Sequence, residues 1–249
     1  MKTTAIIGGS GLSQIESLTI IEQKRIQTPY GKPSSTCTIG ELAGQKVIFL
    51  ARHGAPHTIA PHKINYRANL WALKEAGAEQ IIAIAAVGGI TPEMTPTRII
   101  IPEQIIDYSY GREHTYFAGT EPVKHIDFSY PYDESLRKQL INNAAQLKLN
   151  SHAGGIYGCT QGPRLETAAE ITRMERDGCD LVGMTGMPEA ALARELDIPY
   201  VCCAVIANWA AGKTAGTIAM PEIIDNLEQG MHNTKKLLHQ FFSDTNHQV

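Results

Sequence analysis

The chain has 249 residues, 43% hydrophobic and 19% charged, which is enough to bury one large core. Its formal net charge of −3 and the lack of a strongly basic stretch exclude the electrostatic footprint of a nucleic-acid-binding protein. No run approaches the ~20 apolar residues of a transmembrane helix. The first residues do not resemble a signal peptide, so no membrane association is expected.

Apolar, β-branched runs alternate along the chain with segments of helical spacing. In chain order, the predicted strands cover residues 4–7, 45–51, 80–87, 98–101, 155–159, 180–184 and 199–206. The predicted helices cover 65–76, 133–148, 166–177, 188–196 and 221–242, and 108–130 is a long irregular loop. This alternation predicts an α/β fold over 1–249, a single domain with a mixed, mostly parallel central sheet flanked by helices.

The cysteines indicate a reducing compartment. Their number is odd, their spacing is irregular and no Cys-x-x-Cys occurs, so disulfides and cysteine metal sites are not expected. We therefore expect a cytoplasmic protein in which most of these thiols are small core residues. They are Cys37, Cys159, Cys179, Cys202 and Cys203.

A glycine-rich turn, Gly8-Gly9-Ser10-Gly11, follows the first predicted strand. Ligands of open α/β sheets bind outside the carboxyl ends of the strands. Glycines let the backbone approach an anion, and Ser10 adds a hydroxyl donor. A dinucleotide site is disfavoured because Gln14 replaces the last glycine of the Gly-x-Gly-x-x-Gly pattern. The motif is equally compatible with a phosphate cradle and with a plain tight turn.

The segment Arg52-His53-Gly54 follows the second predicted strand. An arginine offers a planar fork to a phosphate or carboxylate, and His53 could donate a further bond. One alternative is surface charge on a loop. Another is a metal site made of His53, His57 and His62, but spacings of four and five residues match no His-Glu-x-x-His helix. We expect no metal.

Two acidic residues follow later strands, each in the first turn of a predicted helix. Glu166 comes after the Gly162-Pro163 turn, and Glu189 follows Thr185. Acidic residues at these positions ordinarily cap the helix or interact with its dipole. The Thr185 hydroxyl and the neighbouring backbone N–H groups suit an anion.

A polar amide, Asn208, ends the apolar strand that precedes Trp209. A buried asparagine must find partners for its donor and its acceptor. Asn208 is therefore satisfied by the backbone or directed at a ligand.

In this order, the five motifs resemble the trimeric purine nucleoside phosphorylase and methylthioadenosine phosphorylase family across nearly the whole chain. The similarity is greatest to the bacterial S-methyl-5′-thioinosine phosphorylases. The resemblance implies a nucleoside phosphorylase-like fold, a homotrimer, no cofactor, and a nucleoside and inorganic phosphate as the partners. It places the phosphate-binding positions at Ser10, Arg52, His53, Ala85, Ala86 and Thr185. Family members often have Thr or Ser where Ala85 stands, so here only the backbone could contribute.

The resemblance also implies a preference for 6-oxopurines. Met184 matches the methionine that packs on the sugar, and Asn208 matches the residue that reads the base. Adenine-specific relatives have Asp at 208 and at 210, where this chain has Asn208 and Ala210. An amide can donate to O6 and accept from a protonated N7, and Glu166 matches the glutamate that accepts N1–H. A mispaired buried polar group costs about 10⁴-fold in specificity.

A second segment, around residues 220–224, bears on which group the substrate carries at the 5′ end of its sugar. Relatives acting on ordinary inosine supply a histidine there, whereas this chain has the apolar Met220, Ile223 and Ile224. These side chains are interpreted either as core packing or as a pocket for a methylthio group. His125 resembles the residue that a neighbouring subunit lends to this pocket, and Trp209 is included among the substrate-binding candidates.

The expected reaction is the phosphorolysis of S-methyl-5′-thioinosine to hypoxanthine and 5-methylthioribose 1-phosphate, in purine salvage. Asn208 and His53 are the candidate catalytic residues. Alternatives of the same fold are a general inosine or guanosine phosphorylase, a methylthioadenosine phosphorylase, and a nucleosidase that uses water. A non-catalytic purine-binding module and a dinucleotide oxidoreductase are less compatible with these motifs.

Overall fold

The computed structural model describes residues 2–9, 18–119 and 122–244. The strands are β1 (Thr4–Gly8), β2 (Thr19–Lys24), β3 (Cys37–Leu42), β4 (Gln45–Ala51), β5 (Gln80–Gly89), β6 (Ile99–Ile101), β7 (Gln104–Asp107), β8 (Ser151–Ala153), β9 (Ile156–Cys159), β10 (Leu181–Gly183) and β11 (Tyr200–Trp209). The helices are α1 (Tyr66–Glu75), α2 (Glu134–Gln146), α3 (Ala168–Arg176), α4 (Glu189–Glu195) and α5 (Met220–Asp244).

The strands form one mixed sheet whose centre is parallel. β1 lies between β4 and β5, β11 pairs with β5, and all three of these pairings are parallel. Gly8 is in register with Ala51, and Ala85 with Ala204. β9 also pairs in parallel with β7 and β10, and β6 with β8, whereas the remaining four pairings are antiparallel. The predicted α/β fold with a mixed, mostly parallel sheet is confirmed.

Helices cover both faces of the sheet because the central strands are apolar on both sides. Ile7 of β1 belongs to a buried cluster that includes side chains of α1 and α4. Its neighbour Ile6 belongs to a second cluster, formed with α2 and α5. α5 packs closely on β11 at Gly230, where a Cβ atom would lie 2.2 Å from the Val205 side chain.

Every predicted strand and helix is present, although some of their ends differ from the predicted ones. Four further strands are not predicted from the sequence. The missed strands are β2, β3, β7 and β8; β7 and β8 have only four and three residues, too few to show a period. The predicted start of α3 at Glu166 is wrong. Thr167 is the N-cap and forms a capping box with Glu170, so Glu166 precedes the helix.

The five cysteines are free and buried, as expected. Burial raises the pKa of the Cys203 thiol to about 12, which keeps it protonated at neutral pH. Within the described ranges, no helix is long and apolar enough to cross a membrane.

Candidate active site at the carboxyl edge of the sheet

Three segments that carry or adjoin predicted phosphate-binding positions meet at the ends of β1 and β4 and in the middle of β5. The backbone N–H of Arg52 donates to the Gly8 carbonyl at 2.9 Å. The Nη1 group of Arg52 donates to the Ile84 carbonyl, also at 2.9 Å, next to Ala85. The strand register therefore brings Gly8, the Arg52-His53 segment and the middle of β5 to one place.

Arg52 is held by a buried carboxylate that the sequence interpretation assigned to helix capping. Its Nε and Nη2 atoms each donate to Glu189 at 2.7 Å, and the Tyr200 hydroxyl donates to the same carboxylate at 2.9 Å. Burial acts to lower the pKa of Arg52, but the Glu189 carboxylate overrides it and the pKa is raised. The capping interpretation of Glu189 is therefore wrong, because its carboxylate forms a buried ion pair with Arg52.

No local signal distinguishes Glu189 from an ordinary acidic residue in a first helical turn. Only the fold shows that its side chain is fully buried and paired with Arg52. Arg52 is itself only 2% exposed, and three of its five N–H donors serve protein acceptors. Its predicted contact with phosphate rests on the two remaining N–H groups and stays a prediction.

His53 is fixed in one tautomer by the backbone. Its Nδ1 atom lies 2.9 Å from the Ile59 carbonyl, which can only accept, so Nδ1 carries the proton. Burial is the main reason that the pKa of His53 is lowered to about 4, and Arg52 and His57 lower it further. The ring is therefore neutral at pH 7. Its Nε2 atom is an acceptor that can take a hydrogen bond from a protonated phosphate oxygen, rather than the donor expected from the sequence.

The depressed pKa of His53 predicts a loss of stability on acidification. A histidine in an unfolded chain titrates near 6.5, whereas folded His53 titrates near 4, so the unfolded chain binds more protons between these values. The stability from the neutral ring is present above about pH 6.5 and is lost as the pH falls toward 4. We expect the melting temperature of the wild type to fall more steeply across this window than that of His53→Asn.

The matched control is His232→Asn, because His232 is exposed on α5. Its pH profile should follow that of the wild type. Asparagine at position 53 can still donate to the Ile59 carbonyl, so the comparison isolates the titrating group. Parallel profiles for wild type and His53→Asn would contradict the assignment of a neutral, buried His53.

The other predicted phosphate-binding residues differ in their surroundings. Ala85 and Ala86 both lie within β5, in register with Ala204 and Val205 of β11, but Ala85 is buried whereas Ala86 is exposed. Thr185 follows β10, is 8% exposed, and its backbone N–H lies 3.4 Å from the Tyr157 hydroxyl. Ser10 lies outside the described residues. The roles of these four positions in phosphate binding stay predictions.

Glu166 is positioned by the strand end beside it. The Thr160 hydroxyl, just after β9, donates to Glu166 Oε1 at 2.6 Å and lies 3.2 Å from the Gly183 carbonyl. One carboxylate oxygen is thus occupied and the other is available to a ligand. Glu166 lies in the loop before α3 and is therefore not part of a helical turn. Its side chain is half-buried.

Met184 lies beside the same loop. Gly162 has a φ of 60°, and a Cβ atom there would lie 2.4 Å from the Met184 sulfur. Only glycine allows this close approach, which places the Gly162-Pro163 turn against the methionine that is predicted to pack on the sugar.

Asn208 lies where β11 changes register against β5. The shift between Ile206 and Asn208 is a β-bulge, a device that redirects a side chain. The Asn208 amide donates to the Trp209 carbonyl at 2.7 Å. Because that carbonyl can only accept, the amide nitrogen must face it. One N–H and the carbonyl oxygen of Asn208 remain as a donor–acceptor pair for a ligand.

The neighbouring candidates divide into buried and exposed residues. Ala210 is 3% exposed and packs in an apolar cluster with Val182, so its side chain faces protein, and a substrate contact there stays a prediction. Trp209 is half-buried. His125 is exposed in the long loop, and its predicted role beside a neighbouring subunit stays a prediction.

The apolar stripe at the start of α5 does not belong to the core. Met220 and Ile224 are 62% and 58% exposed, and Ile223 is half-buried. The core-packing interpretation is therefore wrong for the first two. Asn226, one turn further along, donates to the Ala207 carbonyl at 3.0 Å, which holds this end of α5 next to the end of β11.

The three histidines considered as metal ligands do not converge. The rings of His53 and His57 are stacked, with centroids 4.2 Å apart and planes 9° apart. Over the described part of the chain, no group of three or more His, Cys, Asp or Glu residues could hold a metal ion.

The similarities to known proteins extend over nearly the whole chain. The sequence profile of the Phosphorylase superfamily matches residues 3–243. The probable S-methyl-5′-thioinosine phosphorylase of Pseudomonas syringae pv. tomato is 54% identical, with 98% of this chain and 99% of that protein covered. The 6-oxopurine nucleoside phosphorylase of Pyrococcus furiosus is 44% identical, with 96% and 91% covered. Among solved structures, the Schistosoma mansoni methylthioadenosine phosphorylase in complex with adenine has a TM-score of 0.94 at 27% identity, with 100% and 93% covered.

Proposed function

The chain belongs to the Phosphorylase superfamily, and from that premise we propose that it cleaves a 6-oxopurine nucleoside with inorganic phosphate. The observation that carries the proposal is the donor–acceptor pair of Asn208 at the end of β11, fixed by the Trp209 carbonyl. Such a pair matches O6 and a protonated N7 of hypoxanthine or guanine. The relatives named for S-methyl-5′-thioinosine and for 6-oxopurine nucleosides support the same base preference.

The chemistry requires no nucleophilic side chain because phosphate is itself the nucleophile. In the proposed reaction, a phosphate oxygen attacks C1′ of the sugar as the bond from C1′ to N9 of the purine breaks. Arg52, His53 and Thr185 hold the phosphate and reduce the entropic cost of bringing it to C1′. The electron pair of the broken bond passes to the purine, and N7 takes up a proton from solvent, so that the base leaves as the neutral purine.

For the sugar, we propose that the 5′ substituent is a methylthio group. The apolar stripe of Met220, Ile223 and Ile224, of which Met220 and Ile224 are exposed, lies next to the end of β11 and provides apolar surface without a histidine. Sulfur packs favourably against such side chains. The relative in Pseudomonas syringae pv. tomato, named as a probable S-methyl-5′-thioinosine phosphorylase, supports this choice. The preferred products are then hypoxanthine and 5-methylthioribose 1-phosphate, made in a homotrimer in the cytoplasm.

The test is base release from a panel of nucleosides, with and without phosphate. We expect release to require phosphate and to be fastest with S-methyl-5′-thioinosine, slower with inosine and guanosine, and slowest with S-methyl-5′-thioadenosine and adenosine. A site built to bond one base edge rejects a mismatched edge by roughly 10⁴-fold.

The same panel separates the alternatives. Undiminished release without phosphate would identify a nucleosidase. Fastest release from the adenine nucleosides would identify a methylthioadenosine phosphorylase, and equal rates on inosine and its methylthio form would remove the methylthio assignment alone. Sedimentation of the wild type tests the trimer separately.

A further inference from the structure

One arginine outside the predicted site is buried beside it. Arg112 lies in the long irregular loop between β7 and α2, but its side chain points into the protein and is 8% exposed. Its guanidinium stands over the ring of Tyr66, 5.5 Å from the ring centroid, and Nη1 lies 3.3 Å from the Tyr66 hydroxyl. The sequence gives no signal for this role, because a single arginine in a polar loop is ordinarily solvated.

The guanidinium joins two strand ends by donating to their backbone. Its Nη2 group donates to the carbonyls of Thr160 and Gln161, at 3.0 and 2.9 Å, just after β9. Its Nη1 group donates to the Met184 carbonyl at 2.9 Å and to the Met187 carbonyl, just after β10. The segment after β9 leads to Glu166, the candidate for reading the base, and the segment after β10 contains Thr185, a candidate for binding phosphate.

Each anchored segment carries a side chain of the candidate site. Thr160 is the residue whose hydroxyl donates to Glu166, so a shift of its backbone would move the carboxylate that is predicted to read N1–H. Met184 directly precedes Thr185, so a shift there would move the predicted phosphate-binding hydroxyl. Arg112 therefore sets the position of Glu166 relative to Thr185, two groups that it does not itself touch.

The charge of Arg112 is stabilised by four backbone carbonyls and by the Gln161 side-chain oxygen, and not by a carboxylate. In the described ranges, no acidic side chain forms an ion pair with it. Lysine could not replace it, because an ammonium has three donors on one atom, whereas the planar guanidinium reaches carbonyls on opposite sides.

We propose that Arg112 is a positioning residue for the phosphorolysis proposed above, and that it fixes the separation of the base-reading and phosphate-binding sides of the site. The inference rests on that proposed function. Arg112 contacts neither substrate, so its loss should misplace Glu166 and Thr185 without removing any group that bonds them.

The test compares Arg112→Lys and Arg112→Ala with the wild type on S-methyl-5′-thioinosine and S-methyl-5′-thioadenosine. Because a 1 Å misplacement can cost about 10²-fold in rate, we expect kcat/KM for the 6-oxopurine to fall by roughly that factor in both variants. The slow reaction of the adenine nucleoside, which does not use Glu166 in this way, should fall less. The ratio of the two rates should therefore decrease, and added guanidinium ion should restore it in Arg112→Ala.

The matched control is Arg194→Ala. Arg194 anchors the other end of the same loop through the carbonyls of Asp127 and Tyr130, and has no contact with Thr160 or Met184. It should keep the wild-type rate ratio. Melting temperatures of all variants accompany the kinetics.

Three results would overturn the inference. The first is an unchanged rate ratio in Arg112→Lys. The second is a loss in both Arg112 variants that merely follows the fraction of folded protein. The third is the same change of ratio in Arg194→Ala. Phosphate-independent or absent base release by the wild type would overturn the proposed function instead, and would remove the basis of the inference with it.

Discussion

Replacing Glu189 by Gln is expected to reduce the free energy of unfolding by about 3–5 kcal/mol, the usual effect of leaving a buried charge without its partner. The carboxylate is fully buried and bonds Arg52 through two N–H groups at 2.7 Å. An amide keeps one acceptor oxygen but turns an NH₂ group toward the other Arg52 donor. The Arg52 charge then stays buried, and only the Ile84 carbonyl and the one remaining side-chain oxygen at position 189 stabilise it.

Phosphate binding should weaken together with stability in this variant. The Arg52 guanidinium is oriented by its hydrogen bonds to Glu189 and to the Ile84 carbonyl. The Glu189 pair therefore also determines the direction of the two N–H groups that remain for phosphate. We expect the KM for phosphate to rise at a pH where the protein is still fully folded. Urea unfolding at one fixed protein concentration measures the first effect, and initial rates over a range of phosphate concentrations measure the second.

The matched control for Glu189→Gln is Glu195→Gln on the same helix. Glu195 is also buried, but it accepts from the neutral donors Thr115 hydroxyl and Tyr116 N–H instead of pairing with a cation. Its substitution should cost about 1–3 kcal/mol, the penalty for an imperfectly paired neutral group. Equal losses at 189 and 195 would show that the Arg52 pair adds nothing beyond ordinary hydrogen bonds.

A double variant separates stability from phosphate binding. Replacing a buried ion pair by apolar residues of similar volume is often neutral or stabilising. Arg52→Met with Glu189→Leu should therefore recover much of the stability lost in Glu189→Gln. It should recover none of the phosphate affinity, if Arg52 binds phosphate as predicted. Recovery of both would remove Arg52 from the phosphate site.

Sequence patterns predicted the part of this structure that depends on local periodicity. The long apolar runs of β5 and β11 identify central parallel strands, and the helical spacing over 65–76 identifies α1, whose N-cap in the structure is Asn65. β3 was missed because its Thr-Ile-Gly-Glu sequence has no apolar run. Its burial arises from pairing with β2 and β4, a tertiary effect that local patterns do not show.

The site shows the same division between local and long-range information. The motif residues Arg52, Glu166 and Asn208 stand beside strand ends, where sequence reasoning can place them. Glu189 and Arg112 act through partners far away in sequence, at separations of 137 residues for Arg52 and 72 for Met184. No spacing rule joins such pairs, so only the folded chain reveals them.

Asn208→Ala is expected to lower kcat by about 10²–10³-fold, the effect typical of removing one preorganised donor or acceptor to a developing charge. The amide is fixed by its bond to the Trp209 carbonyl at 2.7 Å, so its own carbonyl oxygen is directed where N7 of the purine is proposed to lie. The bond from a protonated N7 strengthens only as the glycosidic bond breaks. The loss should therefore appear mainly in kcat and much less in the KM for the nucleoside.

A nucleoside methylated at N7 provides the discriminating measurement. Its purine is already cationic and departs without a hydrogen bond from N7 to the enzyme. Asn208→Ala should therefore lose far less activity on 7-methylinosine than on inosine, measured as base release with saturating phosphate. An equal loss on both substrates would show that Asn208 does not stabilise the leaving group.

Asn208→Asp tests the base preference with nearly unchanged volume. A carboxylate there would face the Trp209 carbonyl, acceptor against acceptor, at the 2.7 Å distance now spanned by an N–H donor. We therefore expect slower turnover of every nucleoside. The 6-oxopurine rate should fall more than the 6-aminopurine rate, because a carboxylate repels O6 but accepts from a 6-amino group. A rate ratio that stays at the wild-type value would place the base-reading role elsewhere, with Glu166 as the remaining residue to test by the same pair of substrates.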